Sequence, residues 1–199
     1  MGLIESKILE KYGAGRIHLH KGAGVFYEGE EAQYYFQIAE GSVKMITRSE
    51  EGQEFIQGIF YKGESFGEPP LLCNFLYPST AFTLEHCTIW KLPKEQFYNL
   101  LKDHFEVHLR MDQVLCDRLR YKNKILTSIA FDSPEKRVWW LLNYLKQKSG
   151  SSSSFTYEIP LTRQQIGDMV GMRVETIIRT VKKLEEAEKI CLINHKIFI

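Results

Sequence analysis

The chain has 199 residues, 44% of them apolar and 26% charged, with a net charge of +1. Those fractions exclude a disordered chain and a membrane-embedded one, and the length suits two modest cores and a connector. No run approaches the ~18 consecutive apolar residues of a membrane span, and the opening MGLIESKILEKYG lacks the regions of a signal peptide, so no membrane partner and a cytoplasmic location are expected.

From about Arg16 to Leu92 the sequence alternates in short runs such as Arg16-Ile17-His18-Leu19-His20 and Ser42-Val43-Lys44-Met45-Ile46, punctuated by glycines. Short strands with frequent turn signals predict an antiparallel β-barrel or jelly roll. His18 and His20 have the spacing of a metal pair in a barrel enzyme. The first carboxylate downstream is Glu28, too far along for such a ligand set, so an enzyme is not expected. Cys73, Cys87, Cys116 and Cys191 form no CxxC pair, which argues against structural zinc and a disulfide framework alike.

The period then changes. Pro93 opens a short helix, and from Asp103 to Ile129 the apolar residues Val107, Met111, Val114, Leu115, Leu119, Ile125, Leu126 and Ile129 recur at helical spacing without proline or glycine. About 27 residues at 1.5 Å rise span about 40 Å; the apolar stripe could lie on the chain's own barrel, but one barrel face is too short to cover the full length, which favours a homodimer seam. Ser133 and Pro134 carry the signature of a new helix start. That helix runs through Val138, Trp139, Leu141, Leu142 and Leu145 to a polar serine tract, 149–154, read as a flexible loop, after which Phe155–Ile159 alternates as a strand.

Next comes LTRQQIGDMVGMRVETIIRTVKKL, residues 161–184. Thr162 with Gln165 makes a capping box, and Gly171 supplies the left-handed residue that ends a first short helix. Ile166, Val170, Ile177, Val181 and Leu184 give two helices their mutual apolar faces, which leaves the start of the second exposed as a recognition helix. Glu175 and Arg179 share one face, where a carboxylate can accept from cytosine N4 and a guanidinium can fork onto guanine O6 and N7. The same spacing also suits a surface ion pair. Arg173, Val174, Thr176 and Ile178 are candidate contacts to bases or phosphates, and Thr162, Arg163, Lys182 and Lys183 to the DNA backbone. Residues 189–199 read as strand, turn and strand, a β-wing. Residues 133–199 carry 11 Lys+Arg against 7 Asp+Glu, whereas residues 1–132 carry 15 against 18, so the basic part is the one read as facing phosphate.

On two motifs, Gly63-Glu64-Ser65-Phe66-Gly67-Glu68 and LTRQQIGDMVGMRVETIIR, the chain resembles the Crp/Fnr family of bacterial regulators across nearly its whole length. The resemblance implies an α+β fold: a cyclic-nucleotide-binding-type barrel (residues 1–102), a dimerisation helix (103–130) and a winged helix-turn-helix (131–199). It also implies a homodimer on a palindromic operator in double-stranded DNA, with RNA polymerase as a further partner. Glu175 and Arg179 match the family's base-contacting pair. Val174 stands where the cyclic-AMP-responsive branch has arginine, so VETxxR resembles the Fnr branch and a TGA-type half-site core. Ile178 departs from that branch's serine.

By the same resemblance the effector pocket would involve Gly67, Glu68, Leu71, Ser79, Thr80, Lys122 and Asn123. The loop from Gly67 to Ala81 holds no Arg or Lys to neutralise a phosphate, and Pro69 and Pro70 remove two backbone donors. Lys122 and Asn123 replace the family's small hydroxyl residues, although Lys122 could supply a charge from the helix. The sequence therefore argues against cyclic AMP and leaves an unknown small-molecule effector open, with Leu71, Leu72, Phe75, Leu76 and Tyr77 as candidate pocket-filling side chains. Cysteines for an iron-sulfur cluster are missing from the N-terminal stretch, and His86-Cys87 reads as a satisfied strand pair rather than a haem ligand set.

Overall fold

The computed structural model describes residues 2–151, 153 and 155–199; Met1, and Ser152 and Ser154 of the serine tract, lie outside them. The chain divides into two compact units, Met1–Asp117 and Arg118–Ile199.

The first unit begins with helix α1 (Ser6–Lys11). Strands β1 (Gly15–Leu19), β2 (Gly24–Phe26), β3 (Tyr34–Glu40), β4 (Ser42–Arg48), β5 (Glu54–Tyr61) and β6 (Ser65–Phe66) follow. Helix α2 (Glu68–Cys73), strands β7 (Thr80–Thr83) and β8 (Cys87–Pro93), and helix α3 (Lys94–Asp103) complete the set ahead of the long helix. Two four-stranded antiparallel sheets, ordered β1-β8-β3-β6 and β2-β7-β4-β5, form the jelly-roll-like layers expected of the alternating runs.

In β3 four consecutive residues are buried, because both faces of that strand are covered. Phe36 packs inward on Phe66 (ring centroids 5.7 Å apart), while Tyr35 stacks on Phe97 of α3 (4.5 Å). Next to them Gln37, also buried, accepts from the Ile4 N–H and donates to the Ile4 carbonyl, both at 2.9 Å. Its carbonyl oxygen accepts a further bond from the Tyr35 hydroxyl. One amide thus satisfies the backbone of an incoming segment that would otherwise bury two unpaired groups.

Helix α4 (Phe105–Phe131) is the long helix expected from the periodicity, separated from α3 by His104. Its apolar residues serve two faces rather than one. Val107 and Met111 are fully buried in the barrel core, with Leu115 packed against it. Phe105, Leu109, Leu119 and Leu126 are exposed, as are Cys116 and Asn123. Among its exposed positions, 105, 109, 112, 116, 119, 123, 126 and 130 follow alternating spacings of four and three, the spacing a coiled-coil seam requires, although positions such as 106, 108, 113 and 120 are exposed as well.

The second unit contains α5 (Pro134–Ser149), α6 (Arg163–Val170), α7 (Val174–Glu186) and the hairpin β9 (Cys191–Ile193) and β10 (Lys196–Phe198). Ser133 caps α5, with Pro134 as its first residue, as expected. The strand expected at Phe155–Ile159 is reduced to a bridge of Glu158 with Phe198 and backbone bonds from Tyr157 and Ile159 to the chain end. Phe155 itself has φ +55, a left-handed value incompatible with a strand. Among the described residues no helix is long and apolar enough to cross a membrane.

Candidate nucleic-acid interface and barrel site

Local chemistry fixes the α6–turn–α7 geometry. Thr162 Oγ1 accepts from the Gln165 N–H (3.1 Å) and Gln165 Oε1 accepts from the Thr162 N–H (2.8 Å), closing the predicted capping box. Gly171 ends α6 at φ +67. A second glycine makes the turn tight: a Cβ on Gly167 would lie 2.6 Å from the Met172 carbonyl oxygen. Buried Ile166, Val170, Ile177, Val181 and Leu184 lock the two helices together. Arg137, which no sequence signal singles out, donates to the Val170 carbonyl at the end of α6 and to the Ile129 carbonyl, both at 3.1 Å.

On the outer face of α7 the structure brings Glu175, Arg179 and Lys182 together, all exposed. Among the described residues none of the three has a hydrogen-bond or ion-pair partner within the chain, so the i,i+4 ion pair that would explain Glu175 and Arg179 structurally is not made. Arg173 is the N-cap of α7, exposed and without a side-chain cap bond, Val174 and Thr176 are half-buried, and Ile178 is exposed.

The candidate backbone contacts separate into two groups. Lys182 projects freely. Thr162 spends its hydroxyl on the cap, and Arg163 Nη1 donates to the His195 carbonyl (2.6 Å) in the wing turn, where partial burial lowers the guanidinium's pKa. Lys183 Nζ sits 2.8 Å from Glu135 Oε1, and that bond leads the causes that hold the Glu135 carboxyl down to about 2. No sequence spacing links Lys183 to Glu135 or Arg163 to His195, since folding alone joins them. The wing turn is Asn194-His195, both with positive φ, as a two-residue type I′ hairpin requires.

In the barrel, Gly67 adopts φ +77 ahead of α2, and a Cβ there would lie 2.9 Å from Phe26 and 3.2 Å from Tyr77. Those two rings stack at 3.7 Å and 8°. Glu68, Leu71, Tyr77 and Ser79 are all buried, and the Tyr77 and Ser79 hydroxyls have no hydrogen-bond partner among the described residues. Burial, with Glu68 and Glu30 nearby, pushes the Tyr77 phenol well above its usual pKa. Thr80 Oγ1 accepts from the Glu28 N–H (3.0 Å). Of the apolar side chains expected in the pocket, Leu71 and Tyr77 are inside, Leu72 is half-buried, and Phe75 and Leu76 are exposed, because the short α2 ends at a left-handed Asn74 and turns them outward.

Lys122 and Asn123 belong to the second unit; desolvation lowers the half-buried Lys122 amine to about 8, and Asn123 is exposed. Of the expected strand pair only Cys87 is in a strand, where its thiol donates to the Ser42 carbonyl (3.2 Å); His86 sits exposed in the bend that precedes β8. Among the described residues no three His, Cys, Asp or Glu side chains are grouped to hold a metal ion.

A β-barrel followed by a long helix and a winged helix-turn-helix defines the architecture of a sensor-linked DNA-binding regulator. Residues 16–104 match the family model of the cyclic nucleotide-binding domain, and residues 136–199 match the Crp-like helix-turn-helix domain. The cAMP-activated global transcriptional regulator CRP of Haemophilus influenzae is 29% identical over 174 residues, covering 85% of this chain and 78% of that protein. Vfr of Pseudomonas aeruginosa, also a cAMP-activated global transcriptional regulator, is 27% identical over 167 residues, 81% of this chain and 78% of that one. Among solved structures, the c-di-GMP responsive regulator CLP of Xanthomonas campestris superposes with a TM-score of 0.81 at 20% identity, covering 98% of this chain and 99% of that one. A CooA mutant from Carboxydothermus hydrogenoformans gives 0.84 at 18% identity, covering 100% and 91%. The chain belongs to the Crp/Fnr family of DNA-binding transcription regulators.

Proposed function

We propose that the chain acts as a homodimer that reads a palindromic operator through α7 and answers to a signal other than cyclic AMP. Its units would divide as sensor (1–102), dimerisation helix (103–130) and winged helix-turn-helix (131–199). The observation that carries the reading is the exposed pair Glu175 and Arg179, four residues apart and unpaired among the described residues. A carboxylate and a guanidinium on one helical turn suit cytosine N4 and guanine O6/N7, consistent with a TGA-type core. Lys182 is free to take a phosphate, with Arg173, Val174, Thr176 and Ile178 around the same entry point. Thr162, Arg163 and Lys183 would approach the backbone while already bonded inside the protein.

The heptad of exposed positions on α4 supports a parallel pairing with a second copy, which would set two recognition helices one DNA turn apart, about 34 Å. Regulation would proceed through binding, with RNA polymerase as the downstream partner and no catalytic step.

The barrel loop does not supply what a cyclic nucleotide phosphate asks for. From Gly67 to Ala81 it has no cationic side chain, two prolines follow Glu68, and Tyr77 stacked on Phe26 fills space behind Gly67. A buried phosphate without compensating donors is strongly unfavourable. Selection of duplexes from a random library, with and without cyclic AMP, tests both parts. Recovery of the same inverted repeat in either condition is expected; enrichment only with cyclic AMP would overturn the effector reading, and no enrichment at all would overturn the operator reading.

A further inference from the structure

Six positions of α7 are exposed: 175, 178, 179, 182, 183 and 186. Five carry charge; the sixth is Ile178, 55% exposed. A lone exposed isoleucine is ordinary on a protein surface, but its setting here is specific. Ile178 lies one turn beyond the half-buried Val174, as Arg179 lies one turn beyond Glu175. At 100° per residue these pairs run as two adjacent lanes, one apolar and one charged, along the same end of the helix. Among the described residues of the second unit nothing covers the apolar lane at Ile178. A β-branched side chain in a helix has one strongly preferred χ1, so it is held in place before any partner arrives.

The major groove presents one apolar group among its donors and acceptors, the C5 methyl of thymine. We propose that Ile178 is a specificity-determining residue whose side chain packs on a thymine methyl in each half-site, beside the bases read by Glu175 and Arg179. The inference rests on α7 being the DNA-reading helix and adds a base identity that neither charged residue can select. Apolar contact is the chemistry this side chain offers, since it has no donor or acceptor for the other base edges.

The test uses the full chain and a duplex that it selects from a random library, with each thymine replaced singly by deoxyuridine, which lacks only the methyl. At one thymine per half-site the replacement is expected to weaken binding about fourfold, the worth of one buried methyl, and about sixteenfold when both half-sites are changed. Ile178→Ala, at an exposed position that leaves the core intact, should bind with no such sensitivity while still preferring the selected duplex to a scrambled one. Uracil tolerated at every thymine, or equal losses in wild type and Ile178→Ala, would overturn the proposal while leaving the operator reading standing. A chain that selects no sequence would overturn both.

Discussion

Two glutamates, Glu68 in the barrel and Glu175 on α7, show how differently the two units use the same functional group. Glu68 is 1% exposed, beside a proline pair and close to Tyr77, whereas Glu175 stands in solvent with no partner among the described residues. The first is built into a packed interior where every neighbour constrains it. The second is left for something outside. A buried polar group makes sense only with what surrounds it, while an exposed and unpaired one can meet a partner with little rearrangement. The helix-turn-helix unit is therefore the readable half of the molecule, and the barrel is the half in which chemistry is enclosed.

The contrast can be broken most severely at α7. Glu175→Ala with Arg179→Ala is expected to reduce the preference for the selected duplex over a scrambled one by about 10²- to 10⁴-fold for each half-site, at about 1–3 kcal/mol for each base read. Competition binding measures this, and an unchanged ratio would remove α7 from base reading. The barrel side responds in stability instead. Tyr77→Ala leaves a void against Phe26 and should destabilise the protein by about 3–5 kcal/mol. The expected signature is a lower urea midpoint, with operator affinity of the folded protein at low denaturant unchanged; a midpoint within error of wild type would show that the ring is not a structural filler.

Two smaller effects sharpen the comparison within the DNA-binding unit. Lys182→Ala should reduce the slope of log K against log salt by about 0.9 for each phosphate the side chain no longer neutralises, whereas Lys183→Ala, already paired with Glu135, should change it less. Equal slopes in the two variants would contradict the division between free and bonded lysines. Last, because the folded-state pKa of Glu135 is depressed from 4.5 to about 2, the pair contributes stability above the unfolded value and loses it as pH falls through that window. The difference in urea midpoint between wild type and Glu135→Gln should be small at neutral pH, since both groups are substantially exposed, and should shrink between about pH 4.5 and pH 2. A difference that grows on acidification would mean the bond is not the stabilising feature.

Short-range signals carried much of this architecture. Thr162 and Gln165, Gly171, Ser133 and Pro134 act within a few residues of themselves, and each was interpretable without tertiary structure. The exposed pair on α7 was legible for the same reason, because a four-residue spacing fixes a shared face. Features joined by folding were not. Arg163 with His195 and Lys183 with Glu135 lie 32 and 48 residues apart, and no pattern announces either. The stack of Phe26 on Tyr77 joins a strand to a distant loop in the same way. Helix α4 misled by averaging, since one periodic stripe in the sequence resolves into a side packed on the barrel and another left open. Phe155–Ile159 failed because alternation over five residues is weak evidence for a strand when one of them must turn left-handed.

The burial of Val107 and Met111 has a practical corollary for dissecting this regulator. Because the long helix contributes two knobs to the interior that also holds Phe97 and Leu100, an excised sensor fragment that stops with α3 would present a hollowed, greasy flank to water. Such a fragment would self-associate for reasons unrelated to regulation, and ligand screens run on it would report that artefact.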